Sequence, residues 1–445
     1  MKDSGMSAQW TGDVCIIGLG YIGLPTATLF AQAGLRVYGV DVNPRVVELI
    51  ARGESHFSEP DLDVVLQSAV ARGGLTTHLA PQPADAFIIC VPTPCRPNPD
   101  GQTKGCDLSY VLKAADAIAP VLKRGDIVIL ESTSAIGATE QVEARLAALR
   151  PDLSFPSAFG EAADVSLCYC PERVIPGDML RELVFNDRTI GGLTPKCAER
   201  ARAMYAAFVR GKLLLTSARV AECVKLSENS FRDVNIAFAN ELSMICAANK
   251  IDVWEVIKLA NHHPRVNILS PGPGVGGHCI PLDPWFLYEA APELAPLIRA
   301  ARHVNDAKAD WVVEQVRAQY RPGSGKIACL GLTYKPDVDD FRESPALEIA
   351  NKLAAMFPGE VVGVDPFCDM IHHAHVEVNF PLVADFADLD GVGTVVLLVN
   401  HQQFRMISIR LGQLVIDPIG LTRTLKRAEA VATEPADARA ALPVA

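Results

Sequence analysis

The chain has 445 residues, 49% of them hydrophobic and 21% charged, with a net charge of −11. This length exceeds what one hydrophobic core serves, and the composition excludes a disordered or fibrous chain, so a globular protein of two or three domains is expected. The acidic balance, without a basic stripe, argues against a nucleic-acid partner.

From Val14 to Leu35 no residue is charged, a stretch long enough to cross a bilayer. Gly18, Gly20, Gly23, Pro25 and Gly34 interrupt it, and the residues before it are not a basic leader. A strand at 14–18, a tight glycine loop and a helix at 22–33 account for it better, so no membrane span is expected. Further strands are read at 36–41, 86–92, 126–132 and 165–171, with helical patterns between them. That alternation predicts a parallel sheet with helices on both faces.

The middle of the chain changes character. From about 217 to 261 the pattern is helical, and Ala221, Val224, Phe231, Val234, Phe238, Leu242 and Ile245 recur at spacings near three and four. So long an apolar stripe is more than one small domain needs; it would join two domains and form a subunit interface. Strands return at 326–332, 360–365, 394–400 and 413–418, with a helix at 344–356. Gly363-Val364-Asp365 echoes Gly39-Val40-Asp41. The expected fold class is α/β: two Rossmann-like doubly wound domains joined by a long-helix central region. Boundaries are read at 1–210, 211–320 and 321–422, with 423–445 a flexible tail rich in Ala, Pro and charge.

Several stretches carry chemistry. Gly18-Leu-Gly20-Tyr-Ile-Gly23 is a GxGxxG that follows a strand and opens a helix, and Asp41 ends the next strand. The glycines allow a pyrophosphate to approach the backbone, and the acid accepts ribose hydroxyls and repels a 2′-phosphate. That predicts NAD rather than NADP. Thr133, after the strand at 126–132, either reaches the nicotinamide side of the site or belongs to an ordinary strand-to-helix turn. Lys225, Asn229 and Arg232 share one helical stripe, which is either functional or solvated. Gly276 and Gly277 hold the backbone before Cys279, and Asp283 follows four residues on. A dinucleotide fold, a glycine-held cysteine and a nearby carboxylate together point to oxidation through a thioester. Twelve cysteines without a CxxC pair otherwise read as reduced thiols of a cytoplasmic protein, with no metal site.

These residues resemble a known family. IIGLGYIGLPTA (16–27), VPTP, ESTS, YCPERVIPG, KLSENSFRDVNIAFANEL, HPRVNILSPGPGVGGHC and GLTYKPDVDDFRESPA look like the nucleotide-sugar dehydrogenases that make UDP-uronic acids. The resemblance runs from about Asp13 to Gly420. NHHPRVNILSPGPGVGGHC and DPWF are most similar to the branch acting on UDP-N-acetyl-D-mannosamine; branches acting on UDP-glucose or UDP-N-acetylglucosamine are close relatives. The resemblance implies an N-terminal NAD domain, a helical dimerisation region, a C-terminal domain for the UDP-sugar, and a homodimer.

It also implies roles. Cys279 is the nucleophile; Lys225 and Asn229 stabilise the oxyanion and contact substrate, and Lys225 also moves protons. Asp283 and Thr133 position a water or base, and Glu172 assists thioester hydrolysis. Arg173, Val174, Arg232, His263, Arg265, Gly276, Tyr334 and Lys335 match substrate positions, with Arg265 reaching the partner subunit's site. Tyr21, Ile22, Asp41, Thr93, Thr133 and Arg342 match positions on NAD. One departure is Asp417-Pro-Ile419-Gly420, where relatives often carry a basic residue before the glycine. Two other readings stay open: a relative of the decarboxylating 3-hydroxyacid dehydrogenases, which would leave Cys279 unused, and a non-catalytic NAD-binding protein.

Overall fold

The computed structural model describes residues 10–423 other than 102, 176, 278 and 375. They form two compact units. One runs up to Asn229 and adds Leu282–Ala295; the other holds Ser230–Pro281 and the chain from Pro296 onward.

The first unit begins with β1 (Val14–Ile17), α1 (Gly23–Gln32), β2 (Val37–Val40), α2 (Pro44–Ala51), α3 (Leu62–Ala71) and β3 (Leu75–His78). It continues with β4 (Ala86–Ile89), the hairpin β5 (Cys95–Pro97) and β6 (Lys104–Cys106), α4 (Ser109–Ile118), β7 (Ile127–Leu130) and α5 (Ala138–Leu149). The short α6 (Pro156–Phe159), β8 (Ser166–Tyr169), α7 (Met179–Phe185), β9 (Arg188–Gly192), α8 (Pro195–Tyr205) and β10 (Leu213–Ser217) complete it. The main sheet has the order β10-β9-β8-β7-β4-β1-β2-β3. All its pairs are parallel except β8 with β9. β1, β4, β7 and β8 are buried on both faces, as continuous apolar strands covered by helices must be. One core packs α1, α3 and α8 against the sheet and the other packs α4 and α5. Val14 to Leu35 forms β1, its loop and α1. Among the described residues no helix is long and apolar enough to cross a membrane.

α9 (Ala218–Ala248) is the long helix expected from the apolar stripe. It does not extend to 261. Lys250 takes φ +57°, and the Asp252 side chain accepts from the Trp254 amide to start a separate helix, α10 (Val253–Ala260). Of the stripe, Ala221 is fully buried, whereas Phe231, Phe238 and Ile245 are 73%, 57% and 52% exposed.

α11 (Asp283–Ala290) belongs to the first unit, and α12 (Pro296–Gln319) returns to the second. A second sheet follows, built from β11 (Lys326–Leu330), α13 (Pro345–Met356), β12 (Val361–Val364), β13 (Leu382–Val383), β14 (Val392–Leu397) and β15 (Leu414–Ile416). Its order is β13-β12-β11-β14-β15, all parallel. Of the expected tail, 424–445 lies outside the described residues. Arg423 is anchored, ion-paired with Asp252.

Candidate active site

Three glycines shape the end of β1. Gly18 has φ +93°, and a Cβ there would meet the Cys90 carbonyl oxygen at 2.7 Å. A Cβ on Gly23 would stand 1.8 Å from the Gly18 carbonyl oxygen, so only glycine lets α1 approach the strand. Gly20 differs: nothing lies within 4 Å of its Cβ position. Its backbone therefore borders open space at the start of α1. Ile22 caps α1 without a side-chain hydrogen bond, and the first turn holds no acidic residue. Within the first turn Leu24 and Thr26 already donate to the Gly20 and Ile22 carbonyls and Pro25 has no N–H, so it is the helix dipole and the bare backbone at Gly20 that suit a pyrophosphate.

Asp41 follows β2 and is partly exposed. Its Oδ2 accepts from the Leu19 amide at 3.0 Å and its Oδ1 from the Asn43 amide at 2.9 Å. Those bonds hold the carboxylate beside the glycine loop and leave lone pairs for ribose hydroxyls. Tyr21 stacks on Phe57 at 4.3 Å. These residues fit NAD: the open position at Gly20, the anion-ready helix start and the acid are the parts its pyrophosphate and ribose need.

β4 and β7, the next strands at this carboxyl edge, run into the loops of Thr93 and Thr133. Thr93 Oγ1 donates to the Thr133 carbonyl at 2.5 Å, and Ser132 Oγ donates to the Val91 carbonyl at 2.6 Å. The two loops are thus tied together at the carboxyl edge of the sheet.

β8 leads to Glu172, and α9 brings Lys225; they are 8% and 6% exposed. Lys225 Nζ donates to the Glu172 carbonyl at 2.9 Å and to its Oε1 at 3.1 Å. Glu172 Oε2 accepts from the Val174 amide at 3.1 Å. One turn along α9, Asn229 Nδ2 donates to Asp283 Oδ2 at 2.6 Å. Asp283 opens α11 and is 2% exposed. Burial pushes its carboxyl up to about 7, opposed by the Lys225 charge and the Asn229 hydrogen bond and reinforced by Glu172. A carboxyl near 7 exchanges protons readily at neutral pH. Arg173 ion-pairs with Glu228 at 2.8 Å and donates to Thr189 Oγ1 at 2.9 Å. The first unit thus brings Glu172, Lys225, Asn229 and Asp283 into one buried cluster.

The other predicted residues lie in the second unit. Arg232, His263 and Arg265 are exposed, and His263 Nδ1 accepts from the Arg265 amide at 3.3 Å. Arg232 therefore differs from Lys225 and Asn229, which are buried and half-buried on the same stripe. A Cβ on Gly276 would meet the Glu343 carbonyl at 2.5 Å; one on Gly277, at φ +87°, would meet the Tyr334 ring at 2.8 Å. The loop before Cys279 thus lies flush against the segment 334–345, and Cys279 itself is exposed. Tyr334, expected on substrate, packs against this loop. The Lys335 carbonyl accepts from Thr333 Oγ1 at 3.0 Å. Arg342, expected on NAD, grips Asp340 with two bonds of 2.8 and 2.6 Å. Ile419 packs into an apolar cluster of the second sheet.

Two carboxylates escaped the sequence reading. Glu131, 1% exposed at the end of β7, ion-pairs with Arg188, whose guanidinium lies 4.1 Å from the Tyr205 ring. Glu222, fully buried on α9, accepts from the Gly137 and Thr139 amides at 2.7 and 2.9 Å and so caps α5. A glutamate inside an apolar strand end or helix face was the signal available for both.

Residues 12–209 match the NAD binding domain of the UDP-glucose/GDP-mannose dehydrogenase family, 219–307 its central domain and 328–423 its UDP binding domain. The chain is 54% identical over 411 residues to an NDP-N-acetyl-D-galactosaminuronic acid dehydrogenase of Ralstonia nicotianae, covering 92% of this chain and 96% of that protein. It is 52% identical over 404 residues to a UDP-N-acetyl-D-mannosamine dehydrogenase of Yersinia pestis, covering 88% and 94%. Among solved structures, a UDP-D-ManNAc dehydrogenase from Pyrococcus horikoshii superposes with a TM-score of 0.79 at 36% identity, covering 92% of this chain and 96% of that one.

Proposed function

We infer that this chain, which belongs to the UDP-glucose/GDP-mannose dehydrogenase family, oxidises the C6 hydroxyl of UDP-N-acetyl-D-mannosamine to a carboxylate through a thioester on Cys279. Family membership makes it an NAD-dependent UDP-sugar dehydrogenase, an oxidoreductase. The observation that carries the finer reading is the buried cluster of Lys225, Glu172, Asn229 and Asp283, with Cys279 four residues before Asp283 in the chain. The division into a cofactor part (1–210), a helical part (211–320) and a UDP-sugar part (321–422) belongs to the same reading.

Bound NAD supplies the hydride acceptor for each of two oxidations. The chain's residues do the rest. A base positioned by Asp283 and Thr133 takes the C6 hydroxyl proton as the alcohol becomes an aldehyde. The Cys279 sulfur then bonds to the aldehyde carbon and gives up its proton, forming a thiohemiacetal whose oxygen Lys225 and Asn229 stabilise. Loss of a second hydride and the hydroxyl proton leaves the thioester. Water adds at that carbon with help from Glu172, the C–S bond breaks, and the thiol is restored. In sum, one alcohol, two NAD and one water give one carboxylate, two NADH and three protons. Covalent capture divides a four-electron oxidation into easier steps and retains the aldehyde.

Arg173, Val174, Arg232, His263, Arg265, Gly276, Tyr334 and Lys335 are assigned to the UDP-sugar. Arg342 completes the set assigned to NAD. The exposed Phe231, Phe238 and Ile245, spaced by seven along α9, are assigned to a homodimer interface. Reduced, scattered thiols fit a cytoplasmic location.

The test scores NADH against acid for UDP-N-acetyl-D-mannosamine, UDP-N-acetyl-D-galactosamine, UDP-N-acetylglucosamine and UDP-glucose. Two NADH per acid, with the highest kcat/KM on the mannosamine sugar, is expected. A best substrate of galactosamine type, as the name of the Ralstonia relative allows, overturns the sugar assignment alone. Cys279→Ala with near wild-type acid production overturns the thioester.

A further inference from the structure

The second unit contains a buried polar relay with no role in the reaction described so far. Asp233 and Asn240 on α9 are fully buried, and Arg302 and Asn305 on α12 are each 1% exposed. Arg302 Nη1 donates to Asp233 Oδ1 at 2.5 Å. Asn305 Nδ2 donates to the same oxygen at 2.8 Å and to the Asp233 carbonyl at 3.0 Å. Asn240 Nδ2 donates to Asn305 Oδ1 at 2.9 Å. The relay ends on the backbone: the Gly272 amide donates to Asn240 Oδ1 at 2.9 Å.

Its polarity is set at both ends. A backbone N–H can only donate and a carboxylate can only accept, so both asparagine amides must point the same way. Each donor then feeds toward the Asp233 charge, and such chains strengthen one another in a low-dielectric interior. Gly272 lies in the PGPGVGG loop that leads to Cys279. The far end of that loop is pinned by contact: Gly274 admits no Cβ because Pro345 would be 2.9 Å away, and Gly276 and Gly277 lie against Glu343 and Tyr334. The near end of the loop is anchored by the Asn240 side chain, which stands on the helix that also carries Lys225 and Asn229.

We propose that Asn240, oriented by Asn305 and Asp233, is a positioning residue that fixes the loop delivering Cys279. The proposal rests on the reading of Cys279 as nucleophile. The relay acts on the reaction by setting where the thiol stands. A misplacement of about 1 Å in reacting groups can lower a rate by about 100-fold.

The experiment compares Asn240→Ala, Gly272→Pro, Ser243→Ala and Cys279→Ala in the full chain. Gly272→Pro breaks the same bond from the loop's side: it removes the donating N–H, fixes φ near −65° and sets Cδ against Asn240 Oδ1, while its Cβ site has nothing closer than 4.0 Å. Ser243 is a buried neighbour that donates to the Asn240 carbonyl and accepts from Lys308, with no bond to the loop. Asn240→Ala and Gly272→Pro should each lower kcat by about 100-fold, leaving KM for NAD and UDP-sugar within about twofold. Amide exchange in the peptide spanning 268–280 should accelerate in Asn240→Ala, while exchange around Gly18–Gly23 stays unchanged. Ser243→Ala should keep wild-type kcat. Wild-type kcat in both loop variants, with Cys279→Ala inactive, overturns the proposal and leaves the thioester reading standing. An active Cys279→Ala sinks the thioester reading instead; the relay's hold on the loop is then judged by exchange alone, and unchanged exchange overturns it. If Asn240→Ala does not fold, Gly272→Pro decides.

Discussion

The molecule contains the same strand–loop–helix–strand beginning twice, and the two copies use one aspartate in opposite ways. In the first sheet the five strands β3-β2-β1-β4-β7 surround the loop after Gly18; in the second, β13-β12-β11-β14-β15 surround the loop after Gly331. Gly18 and Gly331 both have positive φ, 93° and 84°. Asp41 accepts from the Leu19 amide, and Asp365 accepts from the matching Leu332 amide at 2.7 Å. There the likeness ends. Asp41 is partly exposed and keeps free lone pairs. Asp365 is fully buried, also accepts from the Thr333 and Phe367 amides, and lies 3.3 Å from His401 Nε2. His401 Nδ1 accepts from the Asp337 amide, so in the neutral ring the proton sits on Nε2 and faces Asp365 and Thr333.

The loops differ for the same reason. The first sheet reaches α1 through five residues, 18–22, and leaves Gly20 open. The second reaches α13 through 331–344, a longer loop that carries Tyr334, Lys335, Asp340 and Arg342. A short glycine loop brings backbone N–H groups to a pyrophosphate; a long one presents side chains. One scaffold thus carries its acid outward, open to a ligand, in one case and inward as a structural acceptor in the other.

The largest effect should come from testing that inward acid. Asp365→Ala leaves buried N–H groups of Leu332 and Thr333 without an acceptor and should cost about 3 kcal/mol or more. Denaturant unfolding should show this, with NAD affinity of the folded fraction unchanged; an unaltered midpoint would break the comparison. Asp41→Ala should do the reverse. It should weaken NAD binding by about tenfold or more and narrow the preference over NADP, with a stability loss near 1 kcal/mol. Equal use of NADP by the unaltered protein would show that the outward acid does not read the ribose.

Two buried titratable groups sharpen the contrast further. In the first unit Asp283 is raised from 3.8 to about 7, mainly by burial. The folded state then holds the extra proton between those values, so this group's contribution to stability is lost as pH rises from about 4 to about 7. In the second unit Lys308 is lowered from 10.5 to about 8 by burial, with Ser243 Oγ at 2.6 Å and the Trp311 ring at 3.9 Å. Here the unfolded state holds the extra proton, so stability rises with pH from about 8 to about 10.5. Unfolding curves across pH should therefore change slope in opposite directions when Asp283→Asn and Lys308→Met are compared with wild type. The slope change in either window is at most about 1.4 kcal/mol per pH unit. Asp283→Asn should also remove the rate dependence near pH 7, whereas Lys308→Met should leave it. A retained limb in Asp283→Asn would assign that titration to another group.

What could be read without coordinates was whatever is local in the chain. Gly18, Gly20, Gly23 and Asp41 lie within one strand–loop–helix–strand run, so spacing alone placed them together. The apolar period of α9 and the alternation of strands and helices were legible for the same reason: repeat distance along a backbone is a property of sequence. Tertiary structure alone decided which polar residues were buried. Lys225 meets Glu172 and Asn229 meets Asp283 across more than fifty residues, distances that no periodicity encodes. Arg302, Asn305 and Lys308 would pass for the solvated face of α12, yet all three are inside. Gly39-Val40-Asp41 and Gly363-Val364-Asp365 are alike in sequence, yet Asp365 is enclosed by three amides and His401 while Asp41 stays partly exposed. A polar side chain carries its hydrogen-bonding capacity in its own structure, but whether that capacity goes to water, to a ligand or to a buried partner depends on which distant segment the fold brings to it.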